Sequence, residues 1–222
     1  MTVWGIVPVK ELARSKTRLA AVLSPAGRLA LSRQLLERTL HVLRMVPGLA
    51  EIAVVSSDPL ALEAAQEQGC RPVHEDQPAG LNPALQQASA QALACGAQVA
   101  MVVPIDLPLL QPEDVEWVLS LVETPGPGCK RFIVATDRHG KGTNLLAYHL
   151  PPGIEFQYGE DSYRMHREQC YSHRLACVTV HHPHLALDLD VPSDLECLSA
   201  HHPAGPDICA VAGRHPAGEA TS

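Results

Sequence analysis

Aromatic side chains are scarce in this chain: two Phe, two Trp and four Tyr among 222 residues, or 4%. Proteins that hold single-stranded nucleic acid need rows of stacking platforms, so that class drops out. Charge is sparse too, at 18%, and acidic residues outnumber basic ones by 24 to 17, for a formal net charge of −7. A broad nucleic-acid surface needs clustered Lys and Arg, so only a local cationic pocket remains open. No apolar run approaches the ~20 residues that span a bilayer. No basic stretch precedes the first apolar run as a secretory leader requires; Lys10, Arg14, Lys16 and Arg18 come after it. The seven cysteines (70, 95, 129, 170, 177, 197 and 209) are odd in number and include no Cys-x-x-Cys pair. The expectation is a cytoplasmic protein with reduced thiols, no membrane segment and no nucleic-acid partner.

What the chain does have is a 46% hydrophobic fraction, enough to build a sizeable core. Strand-like and helix-like segments alternate from the start. Val3–Val9 reads as a buried strand, and Ser24-Pro25 as the cap and first residue of a helix that Pro47-Gly48 stops. Ile52–Val55 is a second strand, followed by a helix near Pro59–Gln68 and a short strand over 71–74. Asn82-Pro83 begins an Ala-rich helix that ends near Gly96. Val99–Val103 is the most buried-looking strand, and it leads directly to Asp106. A helix carrying Val115, Val118, Leu119 and Val122 on one face follows. Ile133–Thr136 and Leu145–Tyr148 read as a strand pair, 160–169 as a helix, Val178–Val180 as an apolar run, and Pro192 as the start of the last helix. Such alternation predicts one α/β domain over 1–199, with a mainly parallel sheet covered on both faces. Residues 200–222 lack periodicity and are expected to form a disordered tail.

Ligands in such sheets gather beyond the carboxyl ends of the strands, where Val9-Lys10, Ser56-Ser57-Asp58 and Asp106 fall. Lys10 and Ser15-Lys16-Thr17-Arg18-Leu19 place three cations and two hydroxyls between a strand and a helix, suited to polyphosphate. This is not a P-loop, since no Gly-x-x-x-x-Gly-Lys-Ser/Thr run exists. In Pro104-Ile105-Asp106-Leu107-Pro108, prolines on both sides fix the backbone around a carboxylate. Extended alternation puts Asp188 and Asp190 on one side, and like charges so close call for a cation. With Asp106 they make a hard-oxygen set suited to Mg²⁺. Asp194 reads as first-turn charge complementing the helix dipole, so its replacement by Asn should cost little. Gly140, Gly142, Thr143 and Asn144 allow close backbone approach with hydrogen-bonding groups, and Gly159 and Ser162 do the same at a helix start. His181, His182, His184, His201 and His202 lack ligand spacing and read as surface residues. His166 and His173, after Ser162, are candidates to touch an acid substrate, and Cys95 and Cys177 read as small buried hydrophobes.

Taken in order, Lys10 with Ser15–Leu19, Asp106-Leu107-Pro108, Gly142-Thr143-Asn144, Gly159 with Ser162, and Asp188-x-Asp190-x-Pro192-x-Asp194-Leu195 resemble a known family. It is the guanylyltransferases that begin synthesis of coenzyme F(420), and the resemblance spans roughly residues 3–198. It implies a GT-A-like, Rossmann-related mixed sheet and transfer of GMP from GTP to a three-carbon phospho-acid, with release of pyrophosphate. Phosphoenolpyruvate, 2-phospho-L-lactate and 3-phospho-D-glycerate are the family's acids, and bacterial-type members commonly take the first. By motif, Asp106, Asp188 and Asp190 would hold Mg²⁺, and Thr143, Gly159 and Ser162 would meet the acid. Lys16 and Arg18 would meet the nucleotide, with Asn82 in the segment at the guanosine, and Lys10, Lys16 and Arg18 would stabilise the departing pyrophosphate. One departure is plain: related nucleotidyltransferases carry a Gly-Gly loop where Pro8-Val9-Lys10 stands here. Phosphate binding must therefore lean on side chains.

The residue inventory agrees with that chemistry. A phosphomonoester with its second pKa near ~6 is largely dianionic at neutral pH and attacks phosphorus without a general base. No Ser-His-Asp or Cys-His set is needed. A cytidylyl- or molybdopterin-type transferase on the same fold would call for a Gly-rich first loop. A non-catalytic nucleotide-binding protein would not need Asp106, Asp188 and Asp190 together. Monomer and homodimer both fit the sequence.

Overall fold

Val3–Pro8 forms the first strand, β1, buried along nearly its whole length because helices cover both of its faces. In the computed structural model, residues 1–75, 79–123 and 130–201 are described. After β1 come two single 3-10 turns, Leu12–Arg14 and Thr17–Leu19, and then helix α1 (Pro25–Arg44). Ser24 caps α1 by accepting the Gly27 amide, and Pro25 occupies the first turn, as its sequence indicates. β2 (Glu51–Ser56), α2 (Pro59–Glu67), β3 (Arg71–His74), α3 (Leu81–Ala94), β4 (Val99–Val102) and α4 (Pro112–Glu123) follow. The chain goes on through β5 (Arg131–Thr136), β6 (Thr143–His149), α5 (Ser162–Ser172), β7 (Ala176–Val180), the short α6 (Pro183–Ala186) and α7 (Pro192–His201). The tail boundary expected at 200 falls within α7, and 202–222 lie outside the described residues.

The seven strands form one sheet in the order β3-β2-β1-β4-β6-β5-β7. β6 alone runs against its neighbours β4 and β5; the other pairings are parallel. Alternation along each strand divides the core in two. Val3, Val7, Val99 and Met101 point to the face covered by α1, α2 and α4, while Trp4, Ile6, Ala100 and Val102 point to the face covered by α3 and α5. The sheet is therefore mixed but mostly parallel, as expected.

This topology positions the site. From β1 the chain builds outward through β2 and β3 on one side, then crosses to β4 on the other. The carboxyl ends of β1 and β4 thus border a crevice at a topological switch point. Because β6 is reversed, its first residue, Thr143, lies at that same edge of the sheet.

Candidate active site

A cavity of about 1100 Å³ opens at that edge. The basic loop after β1 forms one wall, contributing Lys10, Arg14, Lys16 and Arg18; Asp106 and Asp190 form another. The glycine loops at 137–142 and 159–161 close the far side, and Val55, Glu75, Gly80, Leu81 and Ala84 complete the end nearest β2 and β3.

The basic loop is pinned from beneath. Asp58, at the end of β2, caps α2 through the Leu60 amide and accepts the Leu12 amide with its other oxygen at 2.8 Å. The Ser15 hydroxyl, expected to face phosphate, is instead committed to the protein. It lies 2.8 Å from the Leu12 carbonyl and 2.5 Å from the Ser32 hydroxyl on α1. Lys16 adopts a left-handed backbone (φ 54°), which turns its side chain inward to 6% exposure. Its ammonium donates to Asp190 at 2.9 Å and lies 3.5 Å from Asp106. Burial alone would lower the Lys16 pKa, but the two carboxylates more than reverse that and raise it. Lys10 and Arg18 are exposed on the cavity wall.

The acidic trio comes from two segments. Asp106 follows β4, and its carbonyl accepts the Leu189 amide at 2.9 Å, which ties it to the strap bearing Asp188 and Asp190. Leu187 and Leu189 are buried while Asp188 and Asp190 are half-buried, so the alternation read from sequence holds although the strap joins no ladder. Asp188 does not line the cavity. Burial first, and then the neighbouring charge of Asp106, push its pKa up to about 6. Asp194 does sit in the first turn of α7, but its role differs from the expected one. It is 3% exposed, accepts the amides of Asp190 and Val191, and pairs with Arg138.

Across the cavity, Gly142 lines the wall, and a Cβ there would come within 3.1 Å of the Asp137 carboxylate. Gly159 (φ +138°) also lines it, whereas Thr143 and Ser162 are buried just behind. Thr143 Oγ1 lies 3.0 Å from Nδ1 of His166, a fully buried residue of α5. His166 is thus committed to the protein behind the cavity wall and does not line the cavity where an acid would sit. His173 is exposed, with Nδ1 2.9 Å from the Gln169 carbonyl. Asn82 is not among the residues lining this cavity; its amide accepts from and donates to the Tyr158 backbone and so fixes the turn before Gly159. Its neighbours Gly80 and Leu81 are at the cavity instead.

Sequence reasoning missed Lys141 and Glu75 at the cavity. A lysine between Gly140 and Gly142 was a usable signal for the first; the second carried none. It also missed Tyr158, whose hydroxyl is buried without a hydrogen-bond partner among the described residues. Elsewhere, Cys95 is exposed and Cys177 half-buried, contrary to their reading as core residues, while Cys70 and Cys170 are buried. His182 and His184 are half-buried and converge on Asp114, contrary to their reading as surface groups. No helix among the described residues is long and apolar enough to cross a membrane.

Residues 3–205 match the family described as guanylyl transferase CofC like. The phosphoenolpyruvate guanylyltransferase of Rubrobacter xylanophilus is 37% identical over 201 residues, covering 90% of this chain and 95% of that one. That of Sphaerobacter thermophilus is 34% identical over 206 residues, covering 92% and 96%. Among solved structures, a protein of Desulfovibrio desulfuricans G20 named as a nucleotide-diphospho-sugar transferase superimposes with a TM-score of 0.74. The match covers 95% of this chain and 94% of that one at 18% identity, so the fold is shared.

Proposed function

Because the chain belongs to the guanylyl transferase CofC-like family, and is thereby a nucleotidyltransferase, we propose that it transfers GMP from GTP to phosphoenolpyruvate in the cytoplasm. This is an early step of coenzyme F(420) synthesis. A phosphate oxygen of the acid attacks the α-phosphorus of GTP, the bond from that phosphorus to the bridging oxygen of the β-phosphate breaks, and pyrophosphate leaves. The observation that carries this reading is the wall position of Lys16, paired with Asp106 and Asp190, in a cavity lined by a basic loop on one side and glycine loops on the other.

GTP fits the end nearest β2 and β3. There Val55 and Ala84 offer an apolar wall, and Glu75 offers a carboxylate to the N–H groups of the guanine edge. Lys10, Lys16 and Arg18 then face the β- and γ-phosphates and stabilise the departing pyrophosphate. The acid fits the opposite end, with its anionic groups toward Gly159, Thr143 and Ser162. Its phosphate is already largely dianionic at neutral pH, so no side chain has to remove a proton.

Mg²⁺ suits the donor set, because Lys16 brings one positive charge to Asp106 and Asp190 alone, while the Asp188 pKa is raised to about 6 by burial first and then by the charge of Asp106. Asp106, Asp188 and Asp190 would hold it, and when bound it would neutralise phosphate charge. The test is pyrophosphate release from labelled GTP with each of the three acids at equal Mg²⁺. Turnover with phosphoenolpyruvate, exceeding that with 2-phospho-L-lactate or 3-phospho-D-glycerate, is the expected result. A faster reaction with another acid would move the acceptor assignment, and no release with any would overturn the reading.

A further inference from the structure

We propose that Asp114, His182 and His184 bind a transition-metal dication of the zinc class, a site separate from the cavity, that fastens together the two segments carrying the acidic trio. Asp114 stands in the first turn of α4, and the two histidines flank Pro183 at the start of α6. Nδ1 of His184 lies 3.0 and 3.2 Å from the two Asp114 oxygens, and Nδ1 of His182 lies 3.4 Å from one of them. One atom from each residue can be chosen so that all three lie within 4.8 Å of one another. Tetrahedral zinc, with ligands at ~2.0–2.1 Å, separates neighbouring donors by roughly 3.3 Å. These contacts cluster around that spacing.

A second observation singles out the cluster. Nδ1 of His182 is buried and has no hydrogen-bond partner among the described residues, though it faces a carboxylate. A buried ring nitrogen without a hydrogen bond carries a desolvation cost that a metal bond removes. The supporting contacts are also present. The Gln111 amide donates to Asp114 Oδ2 at 2.9 Å and orients the carboxylate. The Trp117 ring packs against His182 with centroids 5.3 Å apart, and the two imidazoles meet edge-on at 5.2 Å. Two imidazole nitrogens and one carboxylate oxygen select zinc-like metals, whereas Mg²⁺ prefers oxygen and water throughout.

The position gives the site its role. Asp106 leads through a short loop into α4, and the α6 segment leads directly into the strap of Asp188 and Asp190. Near the cavity, one backbone bond, from the Leu189 amide to the Asp106 carbonyl, clasps these segments. The metal would be a second clasp at their other ends, holding the trio in register. It takes no part in phosphoryl transfer, so its test does not depend on the proposed reaction.

The experiment uses full-length enzyme stripped with a chelator and returned to millimolar Mg²⁺, which occupies hard-oxygen sites. Zn²⁺ is titrated against a chromophoric competitor, Co²⁺ is followed by its visible spectrum, and thermal midpoints are recorded with and without Zn²⁺. One zinc per chain, a tetrahedral Co²⁺ spectrum and a higher midpoint are expected. His182→Gln and His184→Gln should each weaken Zn²⁺ binding by about two orders of magnitude and abolish the rise in midpoint. Both should keep the wild-type circular dichroism and basal Mg²⁺-supported activity. Absence of stoichiometric binding, or binding that persists in both variants, overturns the site. Binding that leaves the midpoint unchanged overturns its role as a clasp.

Discussion

The Asp194 carboxylate receives the backbone amide of Asp190 at 2.7 Å, and that of Val191 at the same distance, while its other oxygen pairs with Arg138. One buried side chain thus shapes the turn that aims Asp190 at Lys16. Hydrogen bonds to a charged group contribute ~1.5–3 kcal/mol each, so Asp194→Ala should destabilise the fold by on the order of 3 kcal/mol. Turnover should fall at least roughly tenfold as Asp190 loses its aim. Asp194→Asn keeps an oxygen for the two amides but gives up the charge opposite Arg138, and should fall between the two. Urea midpoints and kcat report the two effects separately. Wild-type turnover in a folded Asp194→Ala protein would contradict this account.

Lys16 and Lys10 should part company sharply. Lys16 is held between two carboxylates at 6% exposure, and its removal leaves the half-buried Asp106 and Asp190 as neighbouring like charges without a cation. Lys16→Met should therefore lower kcat by on the order of 100-fold or more. Lys10 is exposed on the cavity wall, where its charge is screened. Lys10→Ala should raise KM for GTP only a few-fold, and added salt should shrink the difference from wild type. Steady-state kinetics at two ionic strengths distinguish the pair, and equal losses in both variants would put Lys10 at the reacting atoms.

Local periodicity made much of this molecule legible. Runs such as Val99–Val102 announced buried strands, Ser24-Pro25 announced a helix start, and the alternation of Leu187, Asp188, Leu189 and Asp190 showed which side chains share a face. Asp106 stood out because a carboxylate ended the most apolar strand. Periodicity says which way a side chain points, but not which distant group it meets. Asp194 was placed in the correct turn, but its partner Arg138 lies 56 residues away and no nearby residue announces it. Ser15 met Ser32 on a helix covering the sheet, and Asp114 met two histidines far along the chain. Those pairings follow from the crossover at β1 and the reversal of β6, which no local pattern encodes.

His166 ties stability to pH. The Gln157 amide donates to its Nε2 at 3.0 Å, so that nitrogen is unprotonated and the Nδ1 hydrogen is directed at Thr143. Thr143 thus accepts from His166 and keeps its own hydroxyl hydrogen for another acceptor. Burial pushes the His166 pKa down from 6.5 to about 4, against a smaller opposing effect of the Ser162 backbone. Between those values the unfolded chain binds a proton that the fold refuses. The contribution is therefore complete above pH ~6.5 and is lost as pH falls through ~4, on the order of 3 kcal/mol in all. Urea denaturation at pH 7.5 and 4.5 should show a larger loss for wild type than for His166→Gln. Identical pH dependence in the two proteins would mean that His166 takes up its proton as readily in the fold as in the unfolded chain.

Tyr158 precedes Gly159 of the cavity wall without lining the cavity itself, so it tests whether the acceptor end reaches deeper than that wall. Its hydroxyl is buried without a partner among the described residues, and burial, together with Tyr148 and Asp106, holds the phenol well above its ordinary pKa of 10.0. The group is therefore a neutral donor at any working pH. Asn82 clamps the Tyr158 backbone on both sides, and the ring meets His166 edge-on at 5.2 Å, so phenylalanine should occupy the same place. Leaving a buried donor unsatisfied costs ~1–3 kcal/mol, so Tyr158→Phe should be as stable as wild type or more so. If the hydroxyl donates to the acid, the same substitution should raise KM for phosphoenolpyruvate by roughly tenfold, since ~1.4 kcal/mol is one decade, and leave KM for GTP nearly unchanged. Higher stability with weaker acid binding is the signature of a donor held ready for substrate. Higher stability with unchanged KM would make the hydroxyl a packing fault, and lower stability would reveal a partner within the fold.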